Sequence, residues 1–360
     1  MSKVRFMGKV EFFHALREKV DSYFVENNIK KTGDYRLYLK TIILFSTLIS
    51  LYTILVFFTP AQVWVSLLLC GIMGVNFAAI GFNVMHDGAH GSYSDNTRLN
   101  DLMGFALNIM GGNMYIWKLK HNVNHHTYTN IEGFDDDIDI RPFIRVNTNQ
   151  KKYFFHKFQH IYSMLLYGLT YLAWIFLNDF QKYFGSRVAD NTPLKTMTTK
   201  DHLTFWFSKV FYVSVFIVIP GLVVGWPEMI IGFLTMGFVT GVLIAVVFQL
   251  AHVVEDVTFI PSPESEKSDA DVATEWAVHQ INTTVNFATK SKSLNWLLGG
   301  LNFQVEHHLF PRISHVHYPQ LNKIVKEVCA EFGVNYREFP TMVRAVRSHL
   351  EHLKLVGKAA

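Results

Sequence analysis

Apolar residues in this chain gather into four long runs separated by polar segments. Residues 41–58 (TIILFSTLISLYTILVFF) are followed, after TPA, by residues 62–85 (QVWVSLLLCGIMGVNFAAIGFNVM). Residues 205–226 (FWFSKVFYVSVFIVIPGLVVGW) and 228–251 (EMIIGFLTMGFVTGVLIAVVFQLA) are separated by Pro227 alone. Each run is about 18–24 residues long, which at 1.5 Å per residue matches the ~30 Å of a bilayer's hydrocarbon core. Such short connectors only reverse the chain. The pattern therefore predicts an all-α membrane protein with four transmembrane helices in two hairpins. Lys209, near the start of the third run, is placed to snorkel.

Charge orients the spans. The connectors near 59–61 and 227 hold no Lys or Arg, whereas the arm 1–40, the segment 86–204 and the last hundred residues hold many. The positive-inside tendency then puts both termini and all three polar regions on the cytosolic side, in a bacterial inner membrane or the endoplasmic reticulum. Three units are expected: a cytosolic arm (1–40), a central domain (41–320) and cytosolic C-terminal helices (321–360), with amphipathic patterning from Tyr318 onward. Two shorter apolar stretches, 102–117 and 161–180, contain glycine, are bounded by charge and read as interfacial or re-entrant. Residues 260–276 read as a surface loop. Half the residues are hydrophobic and the mean hydropathy is +0.17, high for a soluble protein. A net charge of +4 and two cysteines leave no disulfide framework and no Cys-rich zinc module. No nucleic-acid partner is expected.

Histidine carries the chemistry. HDGAH places His86 and His90 at i and i+4, where the second run ends. HNVNHH supplies His121, His125 and His126, and QVEHH supplies Gln304, His307 and His308. On a helix these spacings put side chains on one face, and all three boxes fall on the cytosolic side, where they can converge. His252, at the cytosolic end of the fourth run, is an eighth candidate. HKFQH repeats the i, i+4 spacing with His156 and His160 but has no third partner. Zinc takes about four ligands, so one zinc leaves half the set unused. Calcium and magnesium call for oxygen. Eight imidazoles shared by two metals give four each, and iron is favoured because an alkyl chain in a bilayer admits oxidation rather than hydrolysis. Bis-histidine haem would need single histidines paired within the membrane.

HDGAH, HNVNHH and QVEHH, with the flanks HHTYTNIEGFDDDID and FQVEHHLFPRISHVHYP, resemble the HxxxH, HxxxHH and QxxHH boxes of the integral-membrane fatty-acid desaturases, over about residues 41–319. The resemblance implies four spans under a cytosolic helical cap holding a di-iron centre. His86, His90, His121, His125, His126, His307 and His308 would be the ligands, with His252 from the fourth span. Gln304 stands where other branches have histidine; it would ligate weakly, hold a water or steer a neighbour. It resembles the front-end branch, which works between an existing double bond and the carboxyl end. The implied reaction takes O2 and two electrons and leaves a cis double bond in a fatty acyl-CoA or acyl-lipid. No cytochrome b5 signature HPGG occurs, so the electrons are expected from a separate ferredoxin-like or cytochrome b5-like protein and its reductase. Arg141, Arg145, Lys151 and Lys152 would dock an acidic carrier or coenzyme A phosphates, or are ordinary positive-inside charge. Asp87, Glu255, Asp256 and Glu306, near ligand histidines in sequence, are candidates to accept the second imidazole N–H. The acidic run Asp135, Asp136, Asp137 and Asp139 reads first as a structured polar loop. A di-iron hydroxylase, which retains oxygen in its product, is the alternative. A metal transporter would need ligands at mid-depth in the spans, which carry no histidine or carboxylate there.

Overall fold

The computed structural model describes residues 4–261 and 270–359, so the centre of the expected loop at 260–276, residues 262–269, lies outside the described residues. Phe12, Leu16, Val20 and Phe24 recur every fourth residue and form the buried stripe of α1 (Glu11–Glu26). They share one apolar cluster with Leu321, Val325 and Val328. The N-terminal arm is thus packed against the C-terminal segment.

Among the described residues five helices, not four, are long and apolar enough to cross a membrane: α2 (Tyr35–Phe57), α3 (Val63–His90), α5 (Phe154–Gly185), α6 (Thr199–Val223) and α7 (Trp226–His252), with α4 (residues 114–128) between α3 and α5. Asp34 caps α2 by accepting the Arg36 backbone N–H, and Thr198 with Asp201 forms a capping box on α6. Gly225, at φ +118°, turns the chain between α6 and α7, and Pro227 sits in the first turn of α7, where its missing N–H is harmless. Both predicted hairpins are present.

The extra helix is α5. Residues 161–180 look interrupted at Gly168, but that glycine is a packing contact within a continuous helix. A Cβ on Gly241 of α7 would lie 2.6 Å from the Gly168 carbonyl oxygen, so the two backbones touch there. A similar approach joins α3 to α7, where a Cβ on Gly74 would lie 2.5 Å from the Met236 carbonyl oxygen. Helix α7 is thus the axis of the bundle, flanked by α3 and α5.

Past α7 come α8 (Gln304–Leu309), α9 (Tyr318–Glu331) and α10 (Met342–Lys358). Helix α10 is latched to the bundle through buried His349, whose Nδ1–H donates to the Val253 carbonyl (2.6 Å) while its Nε2 accepts from the Tyr167 hydroxyl (2.8 Å). At its far end, the buried Arg145 guanidinium donates to the Val356 and Ala359 carbonyls (3.0 Å each). The basic quartet expected to dock a carrier is dispersed accordingly: Lys152 caps the same helix end through the Lys358 carbonyl, Lys151 lies over the Tyr153 ring, and Arg141 is held by Asp139 and Asp190.

Candidate metal centre

Two of the three histidine boxes sit where an α-helix widens into a π turn. Residues Gly81–Met85 form one immediately before His86, and Leu119–His125 form another that contains His121 and His125. In a regular α-helix a residue at i+5 is turned about 140° from residue i. The i→i+5 ladder of the π turn instead brings His126 beside His121, with their Nε2 atoms 3.2 Å apart. His86 and His90 finish α3, His252 finishes α7, and His307 and His308 lie in α8, whose first residue, Gln304, is also buried.

All eight predicted histidines meet in one buried place. The ligand atoms of His86, His90, His121 and His307 all lie within 4.8 Å of one another, and so do those of His125, His252 and His308. His126 stands between the groups, its ring centroid 4.5 Å from that of His307 and 4.6 Å from that of His308. His156 is elsewhere, its Nε2 donating to the Pro142 carbonyl.

Five of these rings are held by Nδ1, and six have a bare Nε2. Nδ1 of His121 bonds Asp137 (2.6 Å), that of His125 bonds Asp135 (3.0 Å), and that of His252 donates to the Thr283 carbonyl (3.1 Å). Nδ1 of His308 lies 2.8 Å from the Gln280 amide oxygen, and that of His307 lies 3.1 Å from the Tyr318 hydroxyl. By contrast, Nε2 of His86, His90, His125, His252, His307 and His308, and Nδ1 of His126, are buried without a hydrogen-bond partner. Leaving one such group unsatisfied costs about 1–3 kcal/mol, and six bare Nε2 atoms on the residues of the two groups amount to a strong demand for a ligand. A ring whose Nδ1 carries the proton offers its Nε2 lone pair, which is what a metal binds. The donor set fits a pair of metal ions that accept imidazole, such as iron.

Burial favours the neutral form for four of these rings. Burial, then neighbouring imidazoles, holds His126, His307 and His308 well below the usual histidine range. Burial also lowers His121, despite Asp137. At His125 burial pulls the same way, but Asp135 outweighs it and the pKa is raised. Burial pushes the Asp137 carboxyl up, yet Lys120 (2.6 Å) and His121 prevail and hold it well below the usual carboxylate range.

The carboxylates chosen by adjacency in sequence do other work. Asp87 accepts from the Ser314 hydroxyl and faces His315 (3.0 Å). Glu306 accepts from Asn286, Asn322 and Tyr336, Glu255 accepts from Ser348, and the Asp256 carbonyl accepts from Arg337. None is seen bonding a box histidine. On a helix a residue at i+1 points about 100° away from its neighbour, off the shared face. The acidic run read as a polar loop supplies the actual partners, Asp135 and Asp137, which reach two rings on successive turns, His125 and His121. Trp117 is a further contributor, stacked on His121 at 4.4 Å and 22°.

Beside this cluster opens a cavity of about 760 Å³ that His86 and Trp117 help to line. Its rim is exposed and charged, with Arg141, Arg187 and Asp190, and its inner end is buried and apolar, with Gly81, Phe82 and Ala245. That shape suits a long apolar chain with a polar head.

A sequence profile of the fatty acid desaturase family matches residues 35–340. The chain is 36% identical over 366 residues to the sn-1 linoleoyl-lipid 6-desaturase of Synechocystis sp., covering 99% of each chain. It is 37% identical to the protein of the same name from Arthrospira platensis, covering 98% of this chain and 94% of that one, and 37% identical to the acyl-lipid (8-3)-desaturase of Physcomitrium patens, covering 96% and 72%. With that match spanning the histidine boxes, and with relatives this similar over nearly the whole chain, the protein belongs to the fatty acid desaturase family and is a fatty-acyl desaturase, an oxidoreductase.

Proposed function

We propose that this protein is a front-end acyl-lipid desaturase that uses O2 and two electrons to place a cis double bond in an acyl chain carried by a membrane lipid. The observation that carries the reading is the set of six buried, unpartnered imidazole Nε2 atoms in two adjoining groups beside a cavity with a charged rim and an apolar end. His86, His90, His121 and His307 would hold one iron and His125, His252 and His308 the other, with His126 between them and Gln304 nearby. Two irons held there supply the oxidant that removes hydrogen from adjacent methylenes. The protein's own work is placement: Asp137 and Asp135 keep the proton on Nδ1 of His121 and His125, and Trp117 and Phe248 cover the rings with apolar surface.

An acyl-lipid is preferred to an acyl-CoA because three of the four basic side chains on the cavity wall already have carboxylate partners. Lys120 is paired with Asp137, Arg141 with Asp139 and Asp190, and Lys182 with Asp136. Little positive charge is left for a polyphosphate. The named relatives are themselves lipid-acting, by the names they carry. Electrons would come from a separate ferredoxin-like or cytochrome b5-like protein.

Four of the five apolar helices would cross the membrane, with α5 lying at the interface. Parity supports this. The histidine-bearing ends of α3 and α7 border one cluster, so an even number of crossings separates them, and α6 with α7 supplies it without α5. Helix α5 also starts and finishes near neighbours at that end: a Cβ on Gly357 of α10 would lie 2.2 Å from the His156 carbonyl oxygen, and Tyr183 bonds His202 in the first turn of α6 (2.7 Å). Its exposed stripe of Phe154, Phe158, Ile161, Leu165 and Leu169 would face lipid. The even count returns both termini to the histidine side, which positive-inside charge makes cytosolic.

The test is fatty-acid profiling of a host that expresses the chain with a competent reductant and is fed saturated and unsaturated precursors. New cis alkenes on lipid-bound chains are expected. Hydroxy acids in their place would move the assignment to a hydroxylase, and no new product would overturn it.

A further inference from the structure

A second cavity, of about 400 Å³, lies at the hairpin-tip end of the bundle, lined by Met73, Cys70, Phe216 and Met236 among others. It is in line with the first. Helix α3 contributes Met73 to the lower chamber and Gly81 to the upper one, and α7 contributes Met236 below and Ile244 above. Eight residues separate the members of each pair, about 12 Å along a helix. Phe77 lies midway on α3, one turn from each chamber, and is 1% exposed.

What fills the gap is a partition of aromatic rings. Phe77 meets Tyr171, which lines the upper cavity, at 6.3 Å edge-on, and Phe216, which lines the lower one, at 5.3 Å. Tyr212 completes the group, 5.1 Å from Phe216. The two tyrosines are fixed by polar handles: the Tyr171 hydroxyl donates to the Met110 carbonyl (2.7 Å) and lies 2.9 Å from that of Tyr212. Phe77 and Phe216 have no such tether. Where α3 and α7 approach at Gly74, the Thr240 hydroxyl lies 3.1 Å from the Gly74 carbonyl, so the helices leave no other passage between them there.

We propose that Phe77, backed by Phe216, is the floor that limits the length of acyl chain this site accepts, and that the lower chamber is the blocked continuation of the substrate cavity. The inference rests on the desaturase reading above. With the head at the charged rim, the methyl end reaches the floor. Removing the Phe77 ring joins the chambers and admits longer chains. The double bond keeps its position counted from the carboxyl, because the rim and the histidines do not move.

The experiment profiles products from a graded series of fatty acids of increasing chain length, in hosts expressing wild type, Phe77→Ala, Phe77→Leu and the double variant Phe77→Ala/Cys70→Phe. One methylene in an apolar pocket discriminates by about 10–200-fold, so Phe77→Ala should relax the bias against the first excluded length by about tenfold or more. Phe77→Leu, which loses the ring but keeps the core apolar, should shift the limit the same way by less. It decides the matter if the alanine variant does not accumulate in membranes. Refilling the lower chamber with Cys70→Phe should restore the wild-type limit. An unchanged limit in active Phe77 variants would overturn the floor, whereas absence of any alkene from wild type would overturn the desaturase reading instead.

Discussion

At the end of the bundle where α3 and α7 finish, the side chains buried beside the cavity are imidazoles, carboxylates and amides. Two helices there abandon the regular α ladder for a wider turn. At the opposite end, where the hairpins reverse, the chamber is walled chiefly by Leu, Val, Met and Phe. The apolar end needs only burial and close helix approach. The histidine end also holds five of its eight rings by Nδ1, with partners supplied from distant segments: Asp137 and Asp135, Thr283, Gln280 and Tyr318. One end is a scaffold, and the other is a set of ligands aimed by that scaffold.

The contrast breaks most visibly at the bare nitrogens. His125→Ala or His308→Ala should abolish alkene formation and the bound metal while the protein still reaches the membrane, as measured by lipid profiling with immunoblotting of membranes. Asp137→Asn should come next, because it leaves His121 without its anionic acceptor; a loss of about 10–100-fold in activity or metal affinity is expected, read from turnover in reconstituted membranes. His349 tests the latch away from the metal. Burial lowers it to about 4, against about 6.5 for a free imidazole. As pH falls below 6.5 the unfolded chain takes up a proton that the folded one refuses, so stability is lost across that window, by about 3 kcal/mol at its lower end. Thermal unfolding of the detergent-solubilised protein should therefore weaken from pH 7 toward 4, and His349→Gln should flatten that slope. Smallest of all should be Glu255→Gln, near His252 in sequence but bonded to Ser348; activity should stay within about twofold, the effect of a substitution worth ±0.5 kcal/mol.

Much of this was legible in the residues. Run length and connector length disclosed both hairpins, because a bilayer allows few alternatives to a helix. The three histidine boxes disclosed which imidazoles meet in one buried place, whereas the i, i+4 spacing alone did not, since His156 shares it and lies elsewhere. Helix α5 is longer than the run at 161–180 suggests, because Gly168, which reads as a break in one dimension, is where α5 meets α7 at Gly241. The acceptors were misassigned because adjacency in sequence is not adjacency in space: Asp87 and Glu306 point off the ligand face, and Asp137 reaches His121 from sixteen residues away. Nothing in the spacing announced the π turns that bring His126 beside His121, since HNVNHH is compatible with an ordinary helix.

The central claim is that the two imidazole groups hold two irons. The most direct measurement is the metal content of the purified full chain by elemental mass spectrometry, beside His125→Ala and His308→Ala. Two irons per chain in the wild type and a loss in both variants is the predicted result. A single zinc, or wild-type iron content in both variants, would contradict it.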